Sequence, residues 1–367
     1  METISPGRLL RLALWMVRGI SSRTIRRLGA TPDDFERAAL WNLEDIADRL
    51  QLGPAVRRRL LEGPTDVLAA AEATIADLVA RGAHLEMRGD PGASDFGALA
   101  DPPEVLFVRG RMGGAGRPGA DGLPRAVAVV GSRRANPAAL RLARRVGYRL
   151  ARAGLTVVSG GAVGVDAEAH RGALEAGGPT VAVLGSGVLL PLPRRNRRLF
   201  GAILEGGGAL ASELPPWENA RREFFPRRNR LIAGLARAVV VVRASAESGS
   251  LHTARAALEM GRPVYAFVDA EADNAGARQL VKMGARPVAT EEELLAALAG
   301  RPSGGGGGDG ETARILDALD GPPITVAELS ARLDLPQERV ARVLARLCAE
   351  GKVGFGGPGR FARNRAA

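Results

Sequence analysis

Short apolar runs recur between residues 126 and 268, and stretches with apolar residues at helical spacing separate them. Unbroken runs of this length are typical of strands buried on both faces, and their alternation with helices predicts an α/β fold with a parallel sheet. The predicted strands are Ala126–Val130, Leu155–Val158, Thr180–Leu184, Ala209–Ser212, Ala238–Val242 and Pro263–Val268. The predicted helices are 137–153, 166–176, 196–205, 228–236 and 251–260, and a weaker unit over 276–299 extends the pattern.

The first 80 residues follow the pattern of several short helices, which predicts a helical domain over 1–80. One turn in it, Arg18–Ile25, has a Gly-Ile pair between two helical patterns. It is similar to a helix-hairpin-helix, whose turn can present backbone N–H groups to phosphate. A plain connection between two helices explains the same residues, and the sequence leaves both interpretations open.

The end of the chain predicts a separate small domain. Residues 301–311 are rich in glycine and predict a flexible linker. Three helical patterns and a hairpin then predict a winged helix-turn-helix over 312–367, with the elements Thr312–Leu319, Val326–Leu333, Gln337–Glu350 and Lys352–Ala362. Residues 311–367 carry a net charge of +2, which is low for a strong DNA binder, so docking of a protein is an equally good interpretation. The predicted α/β domain therefore spans 81–300, which include a strand-like stretch at Glu104–Arg109.

The charge of the chain is concentrated in this α/β domain. The net charge is +11, and arginine supplies all but two of the 51 basic residues. Such a bias in composition makes arginine content alone weak support for a nucleic-acid ligand. Residues 1–80 have no net charge, however, and 81–310 carry +9. An excess confined to one domain is what a polyanion-binding surface requires.

Two features bear on the compartment. The longest apolar stretches fall short of the ~18–20 residues of a membrane span, and arginines interrupt the apolar N-terminus at helical spacing. The only cysteine, Cys348, excludes an intrachain disulfide and a cysteine metal site. A cytoplasmic protein with no membrane contact is therefore expected.

Four predicted strands end in small polar turns: Gly131–Arg134, Ser159–Asp166, Gly185–Gly187 and Glu247–Ser250. Parallel strands end at the same edge of a sheet, so these turns can converge on one cleft. Glycine lets backbone N–H groups approach a phosphate, and the following helix N-termini add partial positive charge. The turns therefore predict a phosphate site, although neither a P-loop nor a dinucleotide fingerprint is present.

Groups suited to catalysis are few. The chain has three histidines, and His170 lies one helical turn after Asp166, so the two could pair. A structural pair is a better interpretation than a catalytic one. The sequence shows no metal-ligand spacing, and neither a metal nor a cofactor is predicted.

The stretch Phe224–Arg230, FFPRRNR, places two aromatic rings beside three arginines. This mixture suits a single nucleic-acid strand, because guanidinium groups contact phosphates while bases stack on rings. Solvated helix faces explain other arginines, Arg197 and Arg198 above all. They explain FFPRRNR less well, since adjacent phenylalanines among charges are costly without a use.

Taken together, these motifs resemble the DNA-processing protein DprA (Smf) family. The matching segments are the strand and GSR turn Val129–Arg133, SGxAxGID at Ser159–Asp166, AVLGxG at Ala182–Gly187, SExPP at Ser212–Pro216, FPxRNRxIAGL at Phe225–Leu235 and SGSLxTAxxALExGRxV at Ser248–Val264. The likeness covers about 101–290, and the last two motifs are long and specific.

The resemblance implies an extended Rossmann-like core with an N-terminal helical domain and a C-terminal winged helix. It implies a protein that is not an enzyme, binds single-stranded DNA, forms a homodimer through the core and loads RecA recombinase onto DNA during natural transformation. Carried over by matching position, the DNA pocket would comprise Gly131, Ser132, Arg133, Ser159, Gly160, Gly164, Asp166, Asn196, Phe225, Arg228, Asn229, Arg230, Ser248, Gly249, Ser250 and Thr253. Four positions depart from the usual residues of the family, namely Val163, Leu192, Arg243 and Arg278.

Two other functions use a similar set of turns. A phosphoribohydrolase of the lonely-guy type needs a glutamate that would fall at Ala256, so its essential carboxylate is missing. A nucleotide-sensing scaffold, in which the winged helix is the effector, requires no such group. Binding of a mononucleotide would distinguish it from a protein that binds DNA.

Overall fold

The computed structural model describes residues 4–63, 66–90, 93–94, 96, 99–117, 124–268, 274–299, 314–349, 352–357 and 360–364. The chain divides into two compact units, Met1–Leu295 and Ala296–Ala367. The predicted linker, 301–311, lies outside the described residues.

A mixed sheet forms the centre of the first unit. Its nine strands in the described residues are β1 Ala83–Met87, β2 Val105–Gly110, β3 Ala126–Val130, β4 Thr156–Ser159, β5 Thr180–Val183, β6 Ala209–Ser212, β7 Ala238–Val241, β8 Val264–Phe267 and β9 Arg286–Val288. Their order is β1-β2-β6-β5-β4-β3-β7-β8-β9. The seven strands β3 to β9 are parallel to one another, whereas β2 runs antiparallel to both of its neighbours, β1 and β6.

Helices cover both faces of this sheet. They are α7 Pro137–Arg152, α8 Val165–Glu175, α9 Arg197–Glu205, α10 Phe224–Gly234, α11 Ser250–Glu259, α12 Ala275–Lys282 and α13 Glu291–Leu298. Successive residues of β5 point to opposite faces, as in any strand. Val181 and Val183 pack in the cluster that contains α10, α11 and α12, whereas Ala182 packs with α8 and α9. Burial on both faces explains why the strands are continuous apolar runs.

Six helices precede the sheet in the described residues: α1 Pro6–Met16, α2 Ser22–Ile25, α3 Pro32–Ala38, α4 Leu43–Arg49, α5 Pro54–Leu61 and α6 Val67–Ala80. They bury a core of their own around Phe35 and Ile46. Their other apolar side chains, Leu12 and Leu78 among them, pack against β1 and β2. A buried ion pair between Arg11 and Glu104 connects α1 to the start of β2. The helices and the sheet thus lie in one unit, and a domain boundary at residue 80 stays a prediction.

Beyond residues 296–299, which include the end of α13, the second unit is described over 314–349, 352–357 and 360–364. It contains α14 (314–318), β10 Ile324–Thr325, α15 Val326–Leu333, α16 Gln337–Ala349, β11 Val353–Gly357 and β12 Arg360–Arg363. The three strands form a sheet in the order β10-β12-β11, and Ile315, Leu329 and Leu344 contribute to one apolar core. The interpretation of this unit as a winged helix stays a proposal.

The prediction of an α/β fold with a parallel sheet is confirmed, and the six predicted strands from β3 to β8 agree within one residue at each end. Two elements differ from the prediction. The sequence pattern gave no sign of β1, which pairs only with β2 at the sheet edge. Helix α10 begins at Phe224 and not at residue 228, because Pro226 lies in the first turn, where its missing N–H would have no helical partner.

Candidate functional site

The sheet order reverses between β3 and β7. The chain leaves β3 for α7 and leaves β7 for α11, which lie on opposite faces of the sheet. Such a reversal opens a crevice at the carboxyl ends of the two strands, the usual ligand position in an open α/β sheet. The two turns that border it are joined, since the backbone N–H of Ser132 donates to the carbonyl of Arg243 over 2.7 Å.

The turn after β4 packs on the turn after β3. The N–H of Val165, the first residue of α8, donates to the carbonyl of Ser132 over 3.2 Å. Gly164 precedes it with a φ of +88°, and a Cβ added there would lie 2.4 Å from the same carbonyl oxygen. Only glycine fits this conformation at this distance, so the glycine of the second turn fixes the approach of the first.

Arg228 on α10 connects two further strand ends. The side chain is buried, and its Nη1 donates to the carbonyl of Gly160 after β4 over 2.7 Å and to that of Val183 at the end of β5. Its Nε donates to Oδ1 of Asn229 over 3.0 Å. The guanidinium thus holds α10 against the edge where the turns meet.

A buried carboxylate faces this arginine. Oδ2 of Asp166 accepts from the N–H groups of Gly160 over 3.2 Å and of Ala162 over 3.4 Å. Burial raises the pKa of Asp166, and the charge of Arg228 opposes that rise. Burial likewise lowers the pKa of Arg228 to about 10, with Asp166 opposing and Arg133 adding to the effect. The arginine therefore stays charged at neutral pH and provides a buried positive charge below the turns.

The ring of Phe225 lies close to this buried arginine and to an exposed one. The Cζ atom of Arg133 is 5.1 Å from the centroid of the Phe225 ring, and that of Arg228 is 5.8 Å from it. The ring also packs on Gly185, where an added Cβ would lie 2.9 Å from Cδ1 of the phenylalanine. Arg133 is exposed, so its guanidinium is held by cation–π attraction while its donors stay open to a ligand.

The polar side chains predicted for the site stabilise the turns. Nδ2 of Asn196 donates to the carbonyl of Gly161 over 2.9 Å, and Nδ2 of Asn229 donates to that of Gly249 over 3.1 Å. Oγ of Ser159 donates to the carbonyl of Val129 over 2.6 Å. The hydroxyl oxygens of Ser248 and Ser250 lie 2.8 Å apart at the start of α11, and Thr253 is buried in the same helix.

Arg230 is placed differently from its neighbours in the sequence. Its Nη2 lies 2.8 Å from both carboxylate oxygens of Glu213 and 3.8 Å from Oδ2 of Asp101. Burial raises the pKa of Glu213, and the positive charge of Arg230 opposes the rise. The structure therefore places Arg230 as the partner of a largely buried carboxylate.

His170 does not pair with Asp166, which corrects the pairing considered from their spacing. Its Nδ1 lies 2.7 Å from Oγ1 of Thr180, whose hydroxyl also contacts the carbonyl of Val157. The carboxylate of Asp166 instead faces the N–H groups of its own turn and Arg228. Burial lowers the pKa of His170 from 6.5 to about 3, so the imidazole is neutral at physiological pH.

Acid should therefore destabilise the fold through His170. Between pH 6.5 and about 3 the unfolded chain binds a proton that the folded chain excludes, so the free energy of unfolding falls as pH falls. The slope from this residue is at most about 1.4 kcal/mol per pH unit. Denaturant unfolding of the wild type and of His170→Gln across this range tests it. Equal slopes in the two proteins would show that the buried imidazole has no such role.

Sequence reasoning missed one residue that shapes the crevice. Asn274 is buried, accepts from the N–H of Ala244 over 3.2 Å and donates to the carbonyl of Phe267 over 2.9 Å. It thereby joins the turn after β7 to the end of β8. An asparagine ahead of a helix is common as a cap. Its position in the sequence therefore gave no sign that two strand ends meet at it.

The arrangement suits an anion that also carries a flat apolar group. Arg133 offers exposed donors, Arg228 a buried charge and Phe225 a ring, all at the ends of β3, β4 and β5. No helix in the part of the chain that the structure describes is long and apolar enough to cross a membrane.

Comparison with known proteins gives a consistent result. A family model described as DNA recombination-mediator protein A matches residues 93–299. The chain is 42% identical over 200 residues to Protein Smf of Escherichia coli (strain K12), a match that covers 54% of this chain and 52% of that protein. It is 38% identical over 205 residues to DNA processing protein DprA of Streptococcus pneumoniae (strain ATCC BAA-255 / R6), covering 55% and 69%. The match spans about half the length of the two Smf proteins of E. coli and Synechocystis sp..

Solved structures extend the likeness. The X-ray structure of DNA processing protein A from S. pneumoniae is similar with a TM-score of 0.65 and 29% identity, over 80% of this chain and 98% of that one. DNA processing protein A from Helicobacter pylori, in a structure that concerns its single-stranded DNA binding mode, is similar with a TM-score of 0.50 and 27% identity, over 56% and 91%.

Proposed function

The chain belongs to the DNA recombination-mediator protein A family, and from this premise we propose that it binds single-stranded DNA at the carboxyl edge of its sheet. The turns after β3, β4, β5 and β7 would receive the sugar-phosphate backbone. A phosphate fits there because backbone N–H groups, helix N-termini and the charge of Arg228 all favour an anion.

The observation that carries this proposal is the cluster of Arg133, Phe225 and Arg228. The Cζ atoms of the exposed Arg133 and the buried Arg228 lie 5.1 and 5.8 Å from the centroid of the Phe225 ring, so positive charge and an aromatic ring occur together. Single-strand binders combine positive charge along the backbone with rings on which bases stack. In duplex DNA the base faces are stacked on one another, so the same surface favours a single strand.

The finer parts of the function follow from the family. We propose that the protein is not an enzyme, that it acts in the cytoplasm on DNA taken up by natural transformation, and that it delivers the strand to RecA recombinase. We further propose that two copies associate through the sheet-containing core. The similar protein of H. pylori is one studied with single-stranded DNA, which supports the ligand but not the later steps.

The experiment is a fluorescence-anisotropy titration of the full chain with a single strand, the same sequence as duplex, and a mononucleotide. We expect the single strand to bind best and to bind more weakly as salt rises, because cations are released from the phosphates. For about three neutralised phosphates, affinity should fall on the order of twentyfold between roughly 50 and 200 mM salt.

Two results would contradict this function. Affinity that does not change with salt would exclude the arginines as phosphate ligands. Binding of the mononucleotide alone would favour a nucleotide sensor or a hydrolase, although Ala256 stands where a lonely-guy-type hydrolase has its glutamate.

A further inference from the structure

A cleft of about 1070 Å³ opens beside the proposed DNA site. It is lined on one side by α1, α6 and the turn that follows α1, and on the other by residues 213–218 and the start of α10. Residues 213–218 follow β6 directly and belong neither to the four turns nor to the helices α1 to α6. The turn after α1 is the one with a Gly-Ile pair, and Gly19 has a φ of +105° there.

Exposed aromatic rings line this cleft. Trp217 is 49% exposed although its ring is fixed in place. Its Nε1 donates to Oδ2 of Asp77 over 2.9 Å, and the Cζ atom of Arg81 lies 4.6 Å from its ring centroid. Phe224 lines the cleft from α10 and is partly exposed. A large ring held in one orientation with half of its surface open is suited to stacking on a flat partner.

The charges of the cleft favour an anion. Four carboxylates line it, and each is paired with an arginine that does not: Asp77 with Arg81, Asp101 with Arg26, Glu213 with Arg230 and Glu218 with Arg221. Three arginines that do line it, Arg18, Arg23 and Arg227, are exposed and form no ion pair among the residues that the structure describes. The unpaired charge in the cleft is therefore positive.

The cleft continues from the crevice. Arg228 lines it, and so does Leu184, which directly precedes the turn on which Phe225 packs. Phe224 and Phe225 are adjacent residues, and one faces the cleft while the other faces Arg133. A strand bound at Phe225 has only to pass the start of α10 to reach Phe224 and Trp217.

We propose that the cleft is a second subsite for the same single strand, in which bases stack on Trp217 and Phe224 and phosphates contact Arg18, Arg23 and Arg227. This inference rests on the proposed function, since it extends the DNA path from the crevice to the turn after α1. It assigns to that turn a role in holding the strand, through its two arginines. A base–ring contact and two phosphate contacts together are worth on the order of tenfold or more in affinity.

The test compares a single strand of roughly 4 nucleotides with one of roughly 16, lengths that bracket the usual site sizes. The variants are Trp217→Ala and the pair Arg18→Ala with Arg23→Ala. The matched control, Arg58→Ala with Arg152→Ala, removes the same two charges from exposed positions that do not line the cleft. Thermal unfolding is measured for every variant, so that a loss of fold is recognised.

We expect each cleft variant to bind the long strand on the order of tenfold more weakly than the wild type and the short strand equally well. The control should bind both like the wild type. If the folded cleft variants bound the long strand as tightly as the wild type does, the second subsite would be overturned and the proposed function would stand. An equal loss for both lengths would also overturn it, because the residues would then act on the crevice. A wild type that binds neither strand would instead refute the proposed function itself.

A folded wild type that binds strands of both lengths with the same affinity would place the whole DNA site in the crevice. It would leave the cleft to another ligand and overturn the proposal.

Discussion

Arg228→Ala is expected to lose about 3–5 kcal/mol of the free energy of unfolding and most of the affinity for single-stranded DNA. The stability is lost because the buried carboxylate of Asp166 no longer has its facing charge, and an unpaired buried charge is costly. The carbonyls of Gly160 and Val183 lose their donor at the same time. The affinity is lost because these carbonyls position the ends of β4 and β5. Denaturant unfolding and anisotropy measure the two effects.

Two matched variants separate stability from binding. Arg133→Ala removes an exposed guanidinium near the Phe225 ring and should weaken binding without changing the unfolding midpoint. Arg228→Ala combined with Asp166→Asn should be more stable than Arg228→Ala alone, because the buried charge is then removed with its partner. If Arg228→Ala kept the stability of the wild type, its guanidinium would be a ligand group and not a structural one.

Arg230→Ala is expected to destabilise the fold by about 2 kcal/mol with little change in DNA affinity per folded molecule. It leaves Glu213 in a site where burial already raises the pKa of that carboxyl. The loss is smaller than for a fully buried pair, since the two side chains are 17% and 14% exposed. Denaturant unfolding at neutral pH measures the stability, and anisotropy below the transition measures binding.

The control is Arg230→Gln with Glu213→Gln, which removes both charges and should recover part of the stability. Recovery follows because breaking one partner of an ion pair costs more than replacing both. A folded Arg230→Ala that binds single-stranded DNA tenfold more weakly would place Arg230 in the DNA pocket, as the sequence motif predicts. That outcome would contradict the role that the Glu213 contact indicates.

The sequence by itself predicted the strands β3 to β8 and the turns that follow them, whereas β1 was found only in the structure. Short continuous apolar runs that alternate with helical patterns favour strands buried on both faces, and parallel strands bring the turns that follow them to one edge of the sheet. The residues from Gly131 to Ser250 that lie in the turns could therefore be predicted without a structure. The family could be predicted for the same reason, because the motifs that define it are local stretches of the chain.

Only the tertiary structure decided what the side chains near that edge contact. Arg228 and Arg230 are two residues apart on one helix, yet one faces Asp166 and two strand ends while the other faces Glu213. The spacing of Asp166 and His170 suggested a pair, but the imidazole turns to Thr180 on β5. The cleft at Trp217 joins residues about 200 positions apart in the chain. Contacts between distant segments depend on how helices rotate and pack on the sheet, and no local pattern of residues specifies that.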